Sequence, residues 1–226
     1  MIRSLYTAVS GMISLESRQS TITNNMSNAN TIGYKSENLA IKSFDEVYIQ
    51  NKDKIAAGKN VPQRLGALSL GAEIDTVETA FTQGALKDTG KVTDFAISGR
   101  GFFTVQRGNE RLYTRDGNFL IGNDNFSIDR NNNISVGGVA THSLALADFQ
   151  DYGNLEKMGD NYFGGENPMY NTVVTVSQGF VEASNVNITN EMVNIITNQR
   201  SFETNQKFVS MLDETLNKAA NDIGRV

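Results

Sequence analysis

His142 is the single histidine of this chain, and any acid–base or nucleophilic chemistry near neutral pH would have to start from it. A triad needs that histidine to join a nucleophile to an orienting carboxylate. Here it stands between Thr141 and Ser143 with no such pattern around it, which reads as a structural residue. The chain has no cysteine, so thiol nucleophiles and Cys-ligated zinc are excluded. Gly99-Arg100-Gly101 opens like a dinucleotide-binding loop, but Phe102-Phe103-Thr104-Val105 continues as a strand and the third glycine is missing. Asp129, Asn131 and Asn133 match the first three ligand positions of a calcium loop. Ile134 takes the place of the required glycine and Ala140 that of the closing glutamate, so an Asn-rich hairpin tip is expected. No carboxylate pair sits in an apolar setting that would raise a pKa. The expectation is a chain with no catalytic, cofactor-binding or metal-binding residues.

Composition agrees with that direction. The chain has 226 residues, enough for one modest domain with helical extensions, and a net charge of -5. Basic residues form no stripe, so neither nucleic acid nor an anionic membrane is an expected partner. The mean hydropathy of -0.33 is low for a compact enzyme. No run of about 18 apolar residues suggests a membrane span, and no secretory signal pattern is visible at the N-terminus.

The elements that must position any site lie at the two ends. Met1, Leu5, Ala8, Met12, Leu15, Gln19, Ile22, Met26 and Ala29 fall on alternating steps of four and three, the seam of a coiled coil. Ile188, Met192, Ile195, Gln199, Phe202, Gln206 and Val209 repeat that step. After a phase shift, Leu212, Leu216, Ala219 and Ile223 carry it to the end. The first helix is expected from about Ser4 to Asn28–Asn30, with Gly33 in the left-handed conformation beyond it. The second is expected from Thr189 as N-cap, with Glu191 in its first turn.

Between the helices the pattern is β. Ile74, Thr76, Val77 and Phe81 are expected in strands, as are Phe95–Ser98, Phe102–Val105 and Leu112–Arg115. Asp116-Gly117 reads as a tight turn leading to Phe119-Leu120-Ile121. Weaker strands are expected at Phe126–Ile128, Ile134–Val136 and Thr172–Val176, and Phe44–Tyr48 reads as a short strand or helix. The fold class is therefore α+β: long N- and C-terminal helices paired as a coiled coil, with a small all-β middle domain.

Leu5-Tyr6-Thr7-Ala8-Val9-Ser10-Gly11-Met12 and Asn24-Asn25-Met26-Ser27-Asn28-Ala29-Asn30-Thr31-Ile32-Gly33-Tyr34-Lys35 closely resemble the N-terminal signature of bacterial flagellar basal-body rod and hook proteins. Gly179 to Asn187, Glu191-Met192 and Gln199 to Asn205 resemble the matching C-terminal motif. Gln83-Gly84-Ala85-Leu86, Asp94 to Val105 and Tyr113 to Gly117 resemble the core of the family's middle domain. The segment after Phe119 is short and lacks the usual Gly-rich hairpin, so a trimmed outer domain is expected. The length and Phe81-Thr82-Gln83-Gly84 look most like a distal-rod subunit, with the proximal-rod paralogue close behind.

The resemblance implies a structural, non-enzymatic subunit of the flagellar rod, with a hook subunit or a secreted coiled-coil binding module as rivals. Implied partners are copies of itself, other rod and hook proteins and the flagellar export apparatus, with no membrane insertion. The implied location is the basal body, reached without a cleaved signal peptide. Residues 1–35 and 179–226 would form the inner helical tube, 36–74 a linking and bracing segment, and 75–178 the β-rich outer domain. The expected assembly interface is Leu5, Ala8, Met12, Leu15, Ile22, Met26, Ile188, Met192, Ile195, Phe202, Val209, Leu212 and Leu216. Structural turns are expected at Gly33, Gly99, Gly101 and Gly117.

Overall fold

The computed structural model describes residues 2–51, 55–56, 59–60, 63–119, 126–128, 133–136, 139–170 and 174–223. Among them are two long helices, α1 (Ile2–Ser27) and α2 (Ile188–Ile223), with short strands between, an α+β chain. It divides into two compact units. The first holds the described residues of 1–23, 38–78 and 192–226, and the second those of 24–37 and 79–191.

Both helices are rich in hydroxyl side chains, which ordinarily compete with helical hydrogen bonding. Here they fold back on their own helix. Ser14 and Thr23 donate to the carbonyls of Ser10 and Gln19, and Thr197, Ser201 and Thr204 do the same on α2. The start of α2 differs from expectation. Its cap is Asn187, whose Oδ1 accepts from the Asn190 amide at 3.2 Å, while Thr189 is already inside the helix. An Asn two residues earlier satisfies the same orphan amides, and Glu191 still sits in the first turn where the helix dipole favours it.

In the first unit, Val47–Asn51 pairs antiparallel with Gln63–Leu68, and Glu37–Ser43 pairs with Ala72–Thr79. The ambiguous stretch around Phe44 thus resolves into an extended link followed by a strand. The Phe44 amide donates to the Gly71 carbonyl at 3.0 Å, and the connection between Gln63–Leu68 and Ala72–Thr79 is tied to α1: the Thr7 hydroxyl donates to the Leu70 carbonyl at 2.8 Å, and the Ala72 amide donates to the Ser10 hydroxyl at 3.2 Å. Phe81, expected in a strand, lies just beyond Ala72–Thr79 and packs its ring on Phe102, Phe163 and Tyr152.

The second unit is built on a five-stranded antiparallel sheet in the order Leu146–Ala147, Phe102–Arg107, Glu110–Thr114, Tyr162–Gly164, Glu156–Gly159. Successive side chains of a strand face opposite sides, so Phe102 and Phe103 serve two different cores. Phe102 joins Tyr113, Ala147, Phe149 and Phe163, while Phe103 joins Phe95, Ile97, Leu146 and Val174. Both clusters use edge-to-face contacts, Tyr113 on Phe149 at 4.8 Å and Phe103 on Phe119 at 5.2 Å. Phe119 is a half-buried core residue outside any strand, and Leu120 and Ile121 lie outside the described residues. Phe95–Ser98 pairs with Thr175–Gln178, and Leu86–Asp88 pairs with Phe180–Glu182.

Phe126–Ile128, Asn133–Val136 and Val139–Ser143 form a three-stranded antiparallel meander. Residues 129–132 of the calcium-like run lie outside the described residues. So does the His142 side chain, although its backbone pairs with Ile134.

Candidate assembly interface

On α2 the least exposed positions are Glu191, Asn194, Ile195, Asn198, Asn205, Val209, Leu212, Leu216 and Ala219; Asn194 apart, they are spaced in steps of four and three once the exposed Phe202 is counted between Asn198 and Asn205. The run keeps one phase. The shift expected after Val209 is not needed, because Glu191, Asn198 and Asn205 occupy the covered face in place of Met192, Gln199 and Gln206. Asn198 explains why a polar residue can sit there: its Nδ2 donates to the Leu15 carbonyl and to Gln19 Oε1, both at 2.9 Å. These two hydrogen bonds satisfy the amide N–H groups, while the buried Oδ1 has no partner among the described residues, so only part of the desolvation penalty is offset.

The residues expected at the assembly interface divide accordingly. Ala8 and Ile22 are buried, and Leu5, Met12, Leu15, Met26, Ile195, Val209, Leu212 and Leu216 are half-buried. Ile188, Met192 and Phe202 are exposed. Exposure extends to apolar residues the sequence pattern did not single out: Val193 at 54%, Ile196 at 52% and Met211 at 60% on α2, and Tyr6 and Ile13 on α1. Ile188, Met192 and Ile196 are spaced four apart and share one face. A row of large apolar side chains in water is the pattern of a surface meant to be covered.

The N-terminal and C-terminal connectors meet within the second unit, at a buried polar junction. Lys35 Nζ lies 2.6 Å from Glu182 Oε1, and Arg115 Nη1 lies 3.0 Å from Glu182 Oε2, with all three side chains at most 3% exposed. Further hydrogen bonds surround it: Lys35 Nζ donates to the Thr82 carbonyl, Arg115 Nη2 to that of Gly99, and the Gly84 amide to Glu182 Oε1, while the buried Arg115 Nε has no partner among the described residues. Burial is the dominant influence on the Lys35 ammonium and pulls its pKa down, while the Glu182 carboxylate pushes the other way. Breaking such a buried pair by removing one partner costs about 3–5 kcal/mol, because the remaining charge is stranded. Sequence reasoning missed this cluster: its members each stand in one of the family-like stretches quoted above, but they lie far apart in the chain and nothing in their spacing says that they meet.

Around it the two connectors are laced together. The Gly33 amide donates to the Glu182 carbonyl at 2.8 Å, and the Ser36 amide donates to Asn185 Oδ1 at 2.8 Å. Asn185 Nδ2 donates in turn to the Ala80 carbonyl and to Thr82 Oγ1. At the end of α1, Asn25 accepts from the Glu37 amide and from the Tyr34 hydroxyl, and its Nδ2 reaches Glu191 Oε1 of α2 at 3.4 Å. Gly33 has φ 68°, and a Cβ there would come within 2.5 Å of the Asp116 amide nitrogen. Both the left-handed backbone and the close approach demand glycine. Gly99 and Gly101 also have positive φ, at 96° and 119°. Gly117 has an ordinary φ and serves differently: the backbone carbonyl of Phe95 packs directly onto it.

Burial raises the Tyr34 phenol from 10.0 to about 12, reinforced by the nearby Glu37 carboxylate. The neutral phenol is favoured in the fold, so its contribution to stability is full below pH 10 and declines as pH rises from 10 towards 12. Tyr34→Phe is expected to flatten that alkaline loss. Melting temperatures of both proteins across this window measure it.

Comparison with known proteins places these features in a family. The model described as flagella basal body rod protein matches residues 5–35. That for the flagellar basal body rod FlgEFG protein C-terminal matches 177–222, and the flagellar hook protein FlgE/F/G D1 domain matches 96–137. The flagellar basal-body rod protein FlgG of Buchnera aphidicola subsp. Baizongia pistaciae is 30% identical over 257 residues, covering 96% of this chain and 98% of that protein. FlgG of Bacillus subtilis is 27% identical over 98% of this chain and 99% of its own length. The flagellar hook protein FlgE of Borreliella burgdorferi is 33% identical, but the match spans 64% of this chain and only 32% of the hook protein. The chain belongs to the flagellar basal-body rod and hook protein family.

Proposed function

We propose that this chain is a structural subunit of the flagellar basal-body rod that assembles with copies of itself and with other rod and hook proteins. It matches rod proteins from end to end and a hook protein over a third of that protein's length, which favours rod over hook. The observation that carries the mechanism is the uncovered apolar face Ile188, Met192, Ile196 on α2. In the proposed assembly this face docks on a different surface of the next subunit, and a heterologous contact of that kind repeats into an open helix. The terminal helices, residues 1–35 and 179–226, then form the inner tube through a coiled-coil pairing, and the β-rich part up to residue 178 faces outward. Grouping of residues 38–78 with the two helices in one compact unit supports a bracing role for the segment 36–74. The role is mechanical rather than enzymatic: torque passes through many shared seams. Passage through the flagellar export apparatus belongs to the same reading, on the family resemblance.

The natural absence of cysteine makes a direct test simple. Ile196→Cys is expected to be motile and, when isolated basal bodies are treated with a short maleimide–diazirine reagent that couples to this cysteine and inserts into whatever covers it, to form crosslinks between copies. Glu110→Cys, at the exposed start of a central sheet strand, serves as the comparison. Absence of the chain from basal bodies would overturn the assignment, and its presence without an Ile196 crosslink would overturn the docking face.

A further inference from the structure

The buried junction joins three stretches that are distant in sequence: 31–37 after α1, 80–85 before the sheet, and 182–191 leading into α2. Neither connector can complete its own hydrogen bonding. Lys35 needs Glu182, Ser36 needs Asn185, and Asn25 at the end of α1 reaches Glu191 in the first turn of α2. Glu182 is the centre: one oxygen receives Lys35 and the Gly84 amide, and the other receives Arg115. Its own backbone carbonyl receives the Gly33 amide. Removing the carboxylate leaves two buried cations facing each other, so the whole junction loses its reason to close.

We infer that Glu182 acts as a keystone that makes ordering of the N-terminal and C-terminal connectors a single, all-or-none event. The end of α1 and the start of α2 are then fixed together or not at all. A subunit with one terminal segment ordered and the other loose is thereby removed from the population. Coupling of this kind is reciprocal by thermodynamic necessity: whatever Glu182 does for residues 31–37, Lys35 does for residues 182–191. The ordinary alternative is that Glu182 merely pins its own strand, Phe180–Glu182, to Leu86–Asp88.

Amide hydrogen exchange on the full-length chain separates the two. Glu182→Gln is expected to lower protection of residues 31–37 and 182–191 by the same factor, at least about tenfold. Exchange in Phe102–Arg107 and Glu110–Thr114 should stay within about twofold of the parent. Loss confined to 182–191, or no loss in either segment, would overturn the inference. Should Glu182→Gln also strip protection from the sheet, the readout passes to Lys35→Met, which removes one cation and leaves the Glu182–Arg115 pair. Equal loss in both connectors supports the keystone, and loss confined to 31–37 overturns it. The triple change Lys35→Met, Arg115→Met, Glu182→Leu strands no charge and should restore joint protection, and continued loss there would also count against it.

Discussion

Met192→Asp combined with Ile196→Asp is expected to abolish rod assembly and motility while leaving the isolated subunit folded. Both side chains are about half exposed, at 52% each, so the folded monomer gives up little when they become charged. Substitutions at such exposed positions shift stability by about 0.5 kcal/mol or less. In the proposed assembly the same positions are covered by a neighbour, where an unpaired carboxylate costs several kcal/mol. The penalty recurs at every subunit. Circular dichroism and thermal melting of the purified variant, beside a swimming assay and electron microscopy of basal bodies, separate the two effects. Normal swimming by the double variant would remove this face from the interface.

Gly117→Val is expected to do the reverse and prevent the second unit from folding. A Cβ at this position would overlap the backbone carbonyl of Phe95, and the Phe95 amide in turn donates to the Gly117 carbonyl at 3.0 Å. Backbone cannot swing aside as a side chain can, and Phe95 is fully buried in the core with Ile97 and Phe103. Overpacking a core costs about 1–3 kcal/mol, and a collision with fixed backbone lies at or beyond the top of that range. Loss of a cooperative melt, with aggregation on expression, is the expected readout. A variant melting within a few degrees of the parent would show that Phe95 and Gly117 can separate.

The sequence carried some of this plainly. Spacing in steps of four and three marked both helices, and Phe-rich runs bounded by glycine marked the central strands, because those patterns reflect one element burying one face. Gly33 was also legible, since a glycine soon after a helix suggests a left-handed residue. What lay hidden depended on partners elsewhere in the chain. Lys35, Arg115 and Glu182 look like surface charges until the fold brings them together. Asn198 and Asn205 carry no apolar signal, so the apolar pattern drew the covered face of α2 towards Met192, which is exposed. Gly117 suggested a turn, while its use is to admit the Phe95 carbonyl. The cap at Asn187 was missed because Thr189 offers the same chemistry two residues later.

The hydrogen bonds from Asn198 to the Leu15 carbonyl and to Gln19 have a mechanical consequence. An all-apolar seam resists sliding weakly, because one methyl row can exchange for the next with little change in burial. An amide with two fixed acceptors has a single good position. Slipping by one helical turn, about 5.4 Å, would strand these groups and cost about 1–3 kcal/mol for each buried one left unpaired. The pair therefore acts as a detent rather than as glue: it adds little holding strength at rest, yet makes axial creep between the helices proceed in discrete, costly clicks. In the proposed shaft, that distinction separates elastic twist, which recovers, from permanent set.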